Sequence, residues 1–285
     1  MNTTETYRLI YQNCTGLDAI EAQLCQIQGA KEIHHGRTQS GVGYIDIVCS
    51  SGINIESRFT NTDIEVAALS LVTPKLKHKG VLLMDMDSTA IQIECIDELA
   101  KLAGIGDKVS DVTELAMLGQ LDFEQSLRQR VALLEGLDAG VIQQLCDELP
   151  LTQGLESMVK ELKAHGWVVA VASGGFTPFV NHLKNKLGLD GAFANELEII
   201  DGKLTGKVIG RVVDAQAKAD ILTALAEQYD VEINQTIAVG DGANDIPMLK
   251  AAGGGVAFHA KPAVQQQAQV SINHLGLDSI LALLG

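Results

Sequence analysis

The chain has 285 residues, 46% of them apolar, which is enough to bury a sizeable core and to form more than one lobe. Its 21 basic and 36 acidic side chains leave a formal charge of −15, which argues against nucleic acid as a partner. No run of about eighteen apolar residues would span a membrane, and Met1-Asn2-Thr3-Thr4-Glu5 lacks the basic-then-apolar pattern of an export signal. A cytoplasmic chain is therefore expected, with its five scattered cysteines reduced.

In chain order, Tyr7 to Tyr11 reads as a strand, Leu17 to Gln28 as an amphipathic helix stopped by Gly29, Tyr44 to Val48 as a second strand, and Ile53 to Phe59 as a third. This order predicts a small α+β domain over residues 1–72, ferredoxin-like in outline. It resembles the amino-acid-binding ACT regulatory domains. No ligand-binding constellation stands out in it, so a structural or dimerising role is expected, which leaves a homodimer open.

After the linker from Thr73-Pro74 to Gly80, the apolar run Val81 to Met84 predicts a buried strand of a parallel sheet, ending in Asp85-Met86-Asp87-Ser88-Thr89. Ligands and catalytic groups collect at that carboxyl edge. An aspartate there can bind a hard cation or accept a phosphoryl group, and a second one two positions on can move a proton. Helix capping by Asp87 is the plainer alternative. The 83 positions from Ala90 to Ala172 exceed what one crossover helix needs, which predicts an inserted helical domain over residues 95–150. Within it, Asp122 and Gln125 form a capping-box pattern, and Phe123, Leu127, Arg130 and Leu134 share one helix face. An arginine interrupting an apolar stripe either snorkels to water or grips a carboxylate.

Val168 to Ala172 predicts a further buried strand running into Ser173-Gly174-Gly175, whose hydroxyl and amides suit phosphate oxygens. Asp214 caps a helix that carries Lys218 in its second turn, where solvated surface is the ordinary environment for a lysine. Thr236 to Val239 predicts a third strand of the same kind, ending in Gly240-Asp241-Gly242-Ala243-Asn244-Asp245.

Asp85-Met86-Asp87-Ser88-Thr89, Ser173, Lys218 and the segment Gly240 to Asp245 resemble, in order and type, the four motifs of the haloacid dehalogenase superfamily. Asp85 to Glu98, Leu121 to Arg130 and Ala194-Asn195-Glu196-Leu197 resemble its phosphoserine phosphatase branch. The resemblance covers about residues 80 to 270 and implies an α/β fold. A Rossmann-like core with a parallel sheet would span residues 80–94 and 151–285, and the cap of 95–150 would follow the first motif. It also implies roles. Asp85 would be nucleophile and Mg2+ ligand, Asp87 the acid/base that lends its carbonyl to the metal, and Asp241 the third protein ligand. Ser173, Gly174 and Lys218 would hold the phosphoryl oxygens, with Asn244 orienting them. Glu94 would meet the substrate ammonium and Arg130 its carboxylate, beside a wall of Met117 and Phe123. The implied activity is Mg2+-dependent hydrolysis of O-phospho-L-serine through an aspartyl phosphate, the last step of serine biosynthesis. A phosphotransferase would use the same motifs. An inactive amino-acid-binding regulator is the reading of a different class, and intact Asp85, Asp87, Lys218 and Asp241 count against it.

Overall fold

A computed structural model describes residues 4–12, 14–27, 29–50, 53–59 and 64–285. The chain opens with β1 (Thr4–Tyr11), α1 (Cys14–Leu24), β2 (Lys31–Arg37), β3 (Gly43–Ser50) and β4 (Ile64–Ala68), and its strands form an antiparallel sheet in the order β2-β3-β1-β4. Alternation sorts the side chains by face: Leu9, Tyr11, Ile45 and Ile47 pack with Ile20 of α1, while Ile10 and Tyr44 join the core beneath. One expectation fails here, and β2 and β4 were not foreseen. Ile53 to Phe59 is not a strand: it carries a short 3-10 turn at Glu56–Arg58, and Ile55 and Phe59, four apart, both bury, which is a helical spacing. The strand β2 escapes sequence reading because Lys31-Glu32-Ile33-His34-His35-Gly36-Arg37 is polar and almost wholly exposed, an edge held by its ladder to β3.

The second sheet has seven strands. After β5 (Val81–Met84) come four helices, α2 (Cys95–Leu102), α3 (Gly106–Met117), α4 (Phe123–Ala132) and α5 (Gly140–Asp147), and then α6 (Leu155–Ala164). The sheet continues through β6 (Val168–Phe176), α7 (Thr177–Leu187), β7 (Gly191–Ile200), β8 (Lys203–Ile209), α8 (Ala215–Gln228), β9 (Thr236–Gly240), α9 (Ile246–Ala251), β10 (Gly254–Phe258), α10 (Pro262–Gln265) and β11 (Val270–Ile272), with α11 (Ser279–Leu284) at the end. Its strand order is β11-β10-β9-β5-β6-β7-β8, parallel except for the β7–β8 pair. The fold is thus mixed α/β with a parallel sheet. Chain order runs outward from β5 on one side and returns on the other, so β5 between β6 and β9 is the switch point where such sheets bind ligands.

Helices α2 to α5 leave and rejoin the sheet layer at one stem. Ile91 bridges Leu151, and backbone bonds join Gln92 to Pro150 and Thr152 to Ala90, both at 3.0 Å. The capping box on α4 is formed, with Asp122 Oδ1 accepting from the Gln125 amide at 2.8 Å and Gln125 Oε1 from the Asp122 amide at 3.1 Å. The amino-terminal sheet is fastened to the larger layer by buried charge. Arg8 donates to Asp46 and to the Ala282 carbonyl on α11, and Glu65 Oε1 accepts three amides from Asn273 to Leu275.

Candidate active site

Asp85 sits where β5 ends, its amide still paired to Val239 of β9 at 2.9 Å. The chain then makes a five-residue turn over Met86–Ala90 in which Ser88 takes a left-handed conformation, φ +56°. A non-glycine residue there costs roughly 1–2 kcal/mol, and the turn brings Asp85 and Asp87 to face one cleft. Asp87 is braced: Oδ1 accepts the Cys95 amide at 2.8 Å and Oδ2 the Ser173 hydroxyl at 3.1 Å. Burial nonetheless pushes its pKa above the ordinary carboxylate range, which favours a group that carries a proton.

The loop at the end of β6 supplies the opposite wall. Ser173 is fully buried and its Oγ accepts the Gly175 amide at 2.8 Å. A Cβ on Gly174 would lie 2.7 Å from the Phe123 ring, and one on Gly175 would lie 2.8 Å from Asp87 Oδ2. At either position a side chain would displace the group that already occupies the space, the Phe123 ring or the Asp87 carboxylate.

Lys218, expected at the surface for a lone lysine, is instead fully buried. The Asp214 cap, which accepts the Ala217 amide at 2.8 Å, starts α8 so that Lys218 points beneath the cleft. Its Nζ lies 2.5 Å from Asp85 Oδ1 and 2.7 Å from Asp245 Oδ1. Burial opposes its charge, but these two carboxylates outweigh burial and hold its pKa above the usual value. Asp85 goes the other way from ordinary ion pairing: burial raises its pKa well up, and Asp245 and Asp87 add repulsion that one lysine does not cancel. Burial and Asp245 likewise push Asp241 up to about 6, although the Thr89 hydroxyl donates to it at 3.1 Å. Asp85, Asp87, Asp241 and Asp245 together face a single ammonium, a strong negative surplus. Carboxylate oxygens of Asp85, Asp241 and Asp245 lie within 4.8 Å of one another. A surplus of hard oxygen donors at that spacing fits a divalent cation.

The cleft, of about 360 Å³, is closed on its far side by the inserted helices. Glu94, Phe123 and Arg130 line it, as do Gly174 and Asn244. Glu94 opens onto the cleft and accepts the Ser88 hydroxyl at 2.7 Å, yet the protein around it and the charge of Asp87 push its pKa up to about 7. Arg130 forms no ion pair among the described residues, and burial pulls its pKa down; its Nε reaches only the Ser126 carbonyl, at 3.4 Å. Glu98, one helical turn along α2 from Glu94, pairs instead with Lys101. The side chain of Met117 lies outside the described residues. Asp245 was not among the expected site residues. Its signal was the capped turn Gly242 to Asp245, in which the Asp245 carboxylate reaches back to the Gly242 amide at 3.0 Å.

The sequence pattern of the haloacid dehalogenase-like hydrolases matches residues 80–253. A phosphoserine phosphatase of Vibrio cholerae is 57% identical over 211 residues, 74% of this chain and 64% of that protein. One from Haemophilus influenzae is 54% identical over 228 residues, 80% of this chain and 72% of that one. The chain belongs to the phosphoserine phosphatase group of the haloacid dehalogenase-like hydrolases. The match to the first of these relatives spans less than two thirds of its length. A crystal structure described as a probable phosphoserine phosphatase from Vibrio cholerae superposes with a TM-score of 0.84 at 44% identity, covering 98% of this chain and 86% of the other. A phosphoserine phosphatase solved as a phospho-aspartyl intermediate analogue superposes with a TM-score of 0.68 at 47% identity, covering 73% and 99%. Among the described residues, no helix is long and apolar enough to cross a membrane.

Proposed function

We propose that the chain hydrolyses O-phospho-L-serine to L-serine and phosphate, with Mg2+ as its metal. The observation that carries this is that one cleft presents three chemistries to one small molecule. Acidic oxygens lie at its floor with Lys218 bonded to two of the carboxylates beneath, Glu94 on its flank, and Arg130, with no ion pair among the described residues, on the inserted helices. Phosphoserine carries a phosphate, an ammonium and a carboxylate.

A carboxylate oxygen of Asp85 bonds to phosphorus as the bond from phosphorus to the serine oxygen breaks, and Asp87 delivers its proton to that oxygen. Ser173 braces Asp87, and its raised pKa supports the acid role. Serine leaves. Asp87 then takes a proton from water while the water oxygen attacks phosphorus, and the Asp85 carboxylate is released with phosphate. Asp85, Asp241 and Asp245 are the side chains whose oxygens would hold the cation, with the Asp87 carbonyl expected to join them. When bound, Mg2+ supplies charge neutralisation for phosphoryl oxygens. Lys218 contributes fixed positive charge, the Gly174 amide and Ser173 orient the phosphate, and Asn244 borders it. Helices 95–150 act as the specificity cap over the core of 80–94 and 151–285, and residues 1–72 form a further module fastened to that core. Residence in the cytoplasm fits the chemistry, and a homodimer remains part of the reading through that module.

Phosphate release from L-phosphoserine, with and without Mg2+, tests this beside a phosphate ester lacking both amine and carboxylate. Magnesium-dependent turnover of phosphoserine with little on the generic ester is expected, and Asp85→Asn should abolish it together with any acid-stable phosphoprotein. Turnover of the generic ester alone would discard the serine assignment, and transfer to an added alcohol in place of water would favour a phosphotransferase.

A further inference from the structure

The segment Ala194-Asn195-Glu196-Leu197 has so far no task. In the structure β6 and β7 pair regularly up to Ala172 and Phe193, and pair again at Phe176 and Asn195. Between these points Ser173, Gly174 and Gly175 face only Ala194, so the phosphate loop is a bulge that stands away from the ladder. Asn195 is buried, 1% exposed, at the place where the ladder resumes. Its Nδ2 donates to the Gly174 carbonyl at 2.8 Å, and its Oδ1 accepts the Val213 amide at 2.8 Å. One partner can only accept and the other only donate, so the orientation of the amide is determined by its neighbours. Val213 immediately precedes Asp214, the cap of the helix that carries Lys218. A single buried side chain thus joins the loop presenting Ser173 and the Gly174 amide to the start of the helix presenting Lys218.

We infer that Asn195 is a positioning residue for phosphate. By holding the Gly174 carbonyl in place of a ladder amide it orients the bulged peptide, and through Val213 it sets the distance of that peptide from Lys218. The inference rests on the phosphate-ester reading of the site, while leaving open which alcohol is released. Asn195 touches no reacting atom. Its effect should fall on the phosphate end, common to every substrate, and leave recognition at Glu94 and Arg130 untouched.

Asn195→Asp separates this from a structural role, because the carboxylate can still accept the Val213 amide but can no longer donate to Gly174. The measurements are direct calorimetric binding of inorganic phosphate in Mg2+, inhibition by L-serine, and kcat and KM for phosphoserine and for the generic ester. Leu197→Ala, a buried apolar truncation on the same strand, serves as a destabilised control. Asn195→Asp is expected to weaken phosphate binding and lower kcat/KM for both esters by about tenfold to a hundredfold, with inhibition by serine unchanged. Leu197→Ala should lower thermal stability with phosphate affinity kept. Unchanged phosphate affinity in folded Asn195→Asp, or equal loss in Leu197→Ala, overturns the inference, as does an unmodified protein that binds no phosphate. An unmodified protein that binds phosphate but does not turn over phosphoserine overturns the serine assignment alone, and the binding comparison still decides the role of Asn195.

Discussion

Replacing Lys218 by methionine keeps the length of the side chain and removes its charge from between two buried carboxylates. At 2.5 and 2.7 Å and an effective dielectric constant near 20, each contact contributes a gross attraction of about 6–7 kcal/mol. The cost of desolvating the three groups offsets most of this, so the net cost of stranding the carboxylates is about 3–5 kcal/mol. Adding Asp245→Asn removes one of the stranded charges and should recover about half of the loss. Trp167 is the only tryptophan and is buried, so its fluorescence reports urea unfolding, measured in chelator for the single and double variants. The pH dependence has a definite sign. A stranded Asp85 has a folded pKa raised above its unfolded value, so the folded chain binds the proton first, and the deficit, full above the folded pKa, shrinks as pH falls through it. Activity should fall by about a thousandfold and stay low in the double variant, since loss of one fixed charge at a phosphoryl group is not mended by restored stability. A deficit below about 1 kcal/mol, or strictly additive losses in the double variant, would refute the view that Lys218 is held by charge neutralisation.

Arg130→Ala should lower kcat/KM for phosphoserine by about tenfold to a hundredfold while leaving the generic ester nearly unchanged; equal losses on both would place Arg130 outside substrate recognition. Glu94, with its pKa near 7, loses its negative charge on acidification, so the ratio of kcat/KM for phosphoserine to that for the generic ester should fall between about pH 8 and about pH 6. With a generic ester whose second phosphate pKa matches that of phosphoserine, the titration of phosphate cancels in this ratio, and Glu94→Gln should flatten the profile. Gly175→Ala puts a methyl group 2.8 Å from Asp87 Oδ2 and 3.0 Å from Ser173 Oγ, and should cost about a hundredfold in kcat. Near-normal turnover in that variant would mean that Asp87 is not held by the Ser173 contact.

The parts of this protein written locally in the chain are the ones that could be read from it. Val81 to Met84 is a continuous apolar run because both faces of β5 are covered, and carboxylates at its end have few uses other than chemistry. The capping box at Asp122 and Gln125 closes within one turn, so its spacing alone predicts it. The polar edge β2 could not be read, because the ladder of β3 supplies what its side chains do not. At Ile53 to Phe59 alternation of residues imitated a strand, while the burial of Ile55 and Phe59 needed a turn.

The strand-end loops at Asp85, Ser173 and Asp241 are legible one at a time, and their order in the chain suggests a common site. What only the tertiary structure decides is the charge balance among them. Lys218 has the local sequence of a surface lysine, and it becomes a buried cation because α8 crosses under β5 and meets Asp85 and Asp245 from elements 133 and 27 residues away. Asn195 sits at the edge of the bulge in β6, where a side chain must replace a missing ladder bond. Short-range patterning records which backbone conformation a segment prefers. Electrostatic and hydrogen-bond partnership depends on distances through space, and these exist only once the sheet has brought the ends of β5, β6 and β9 together.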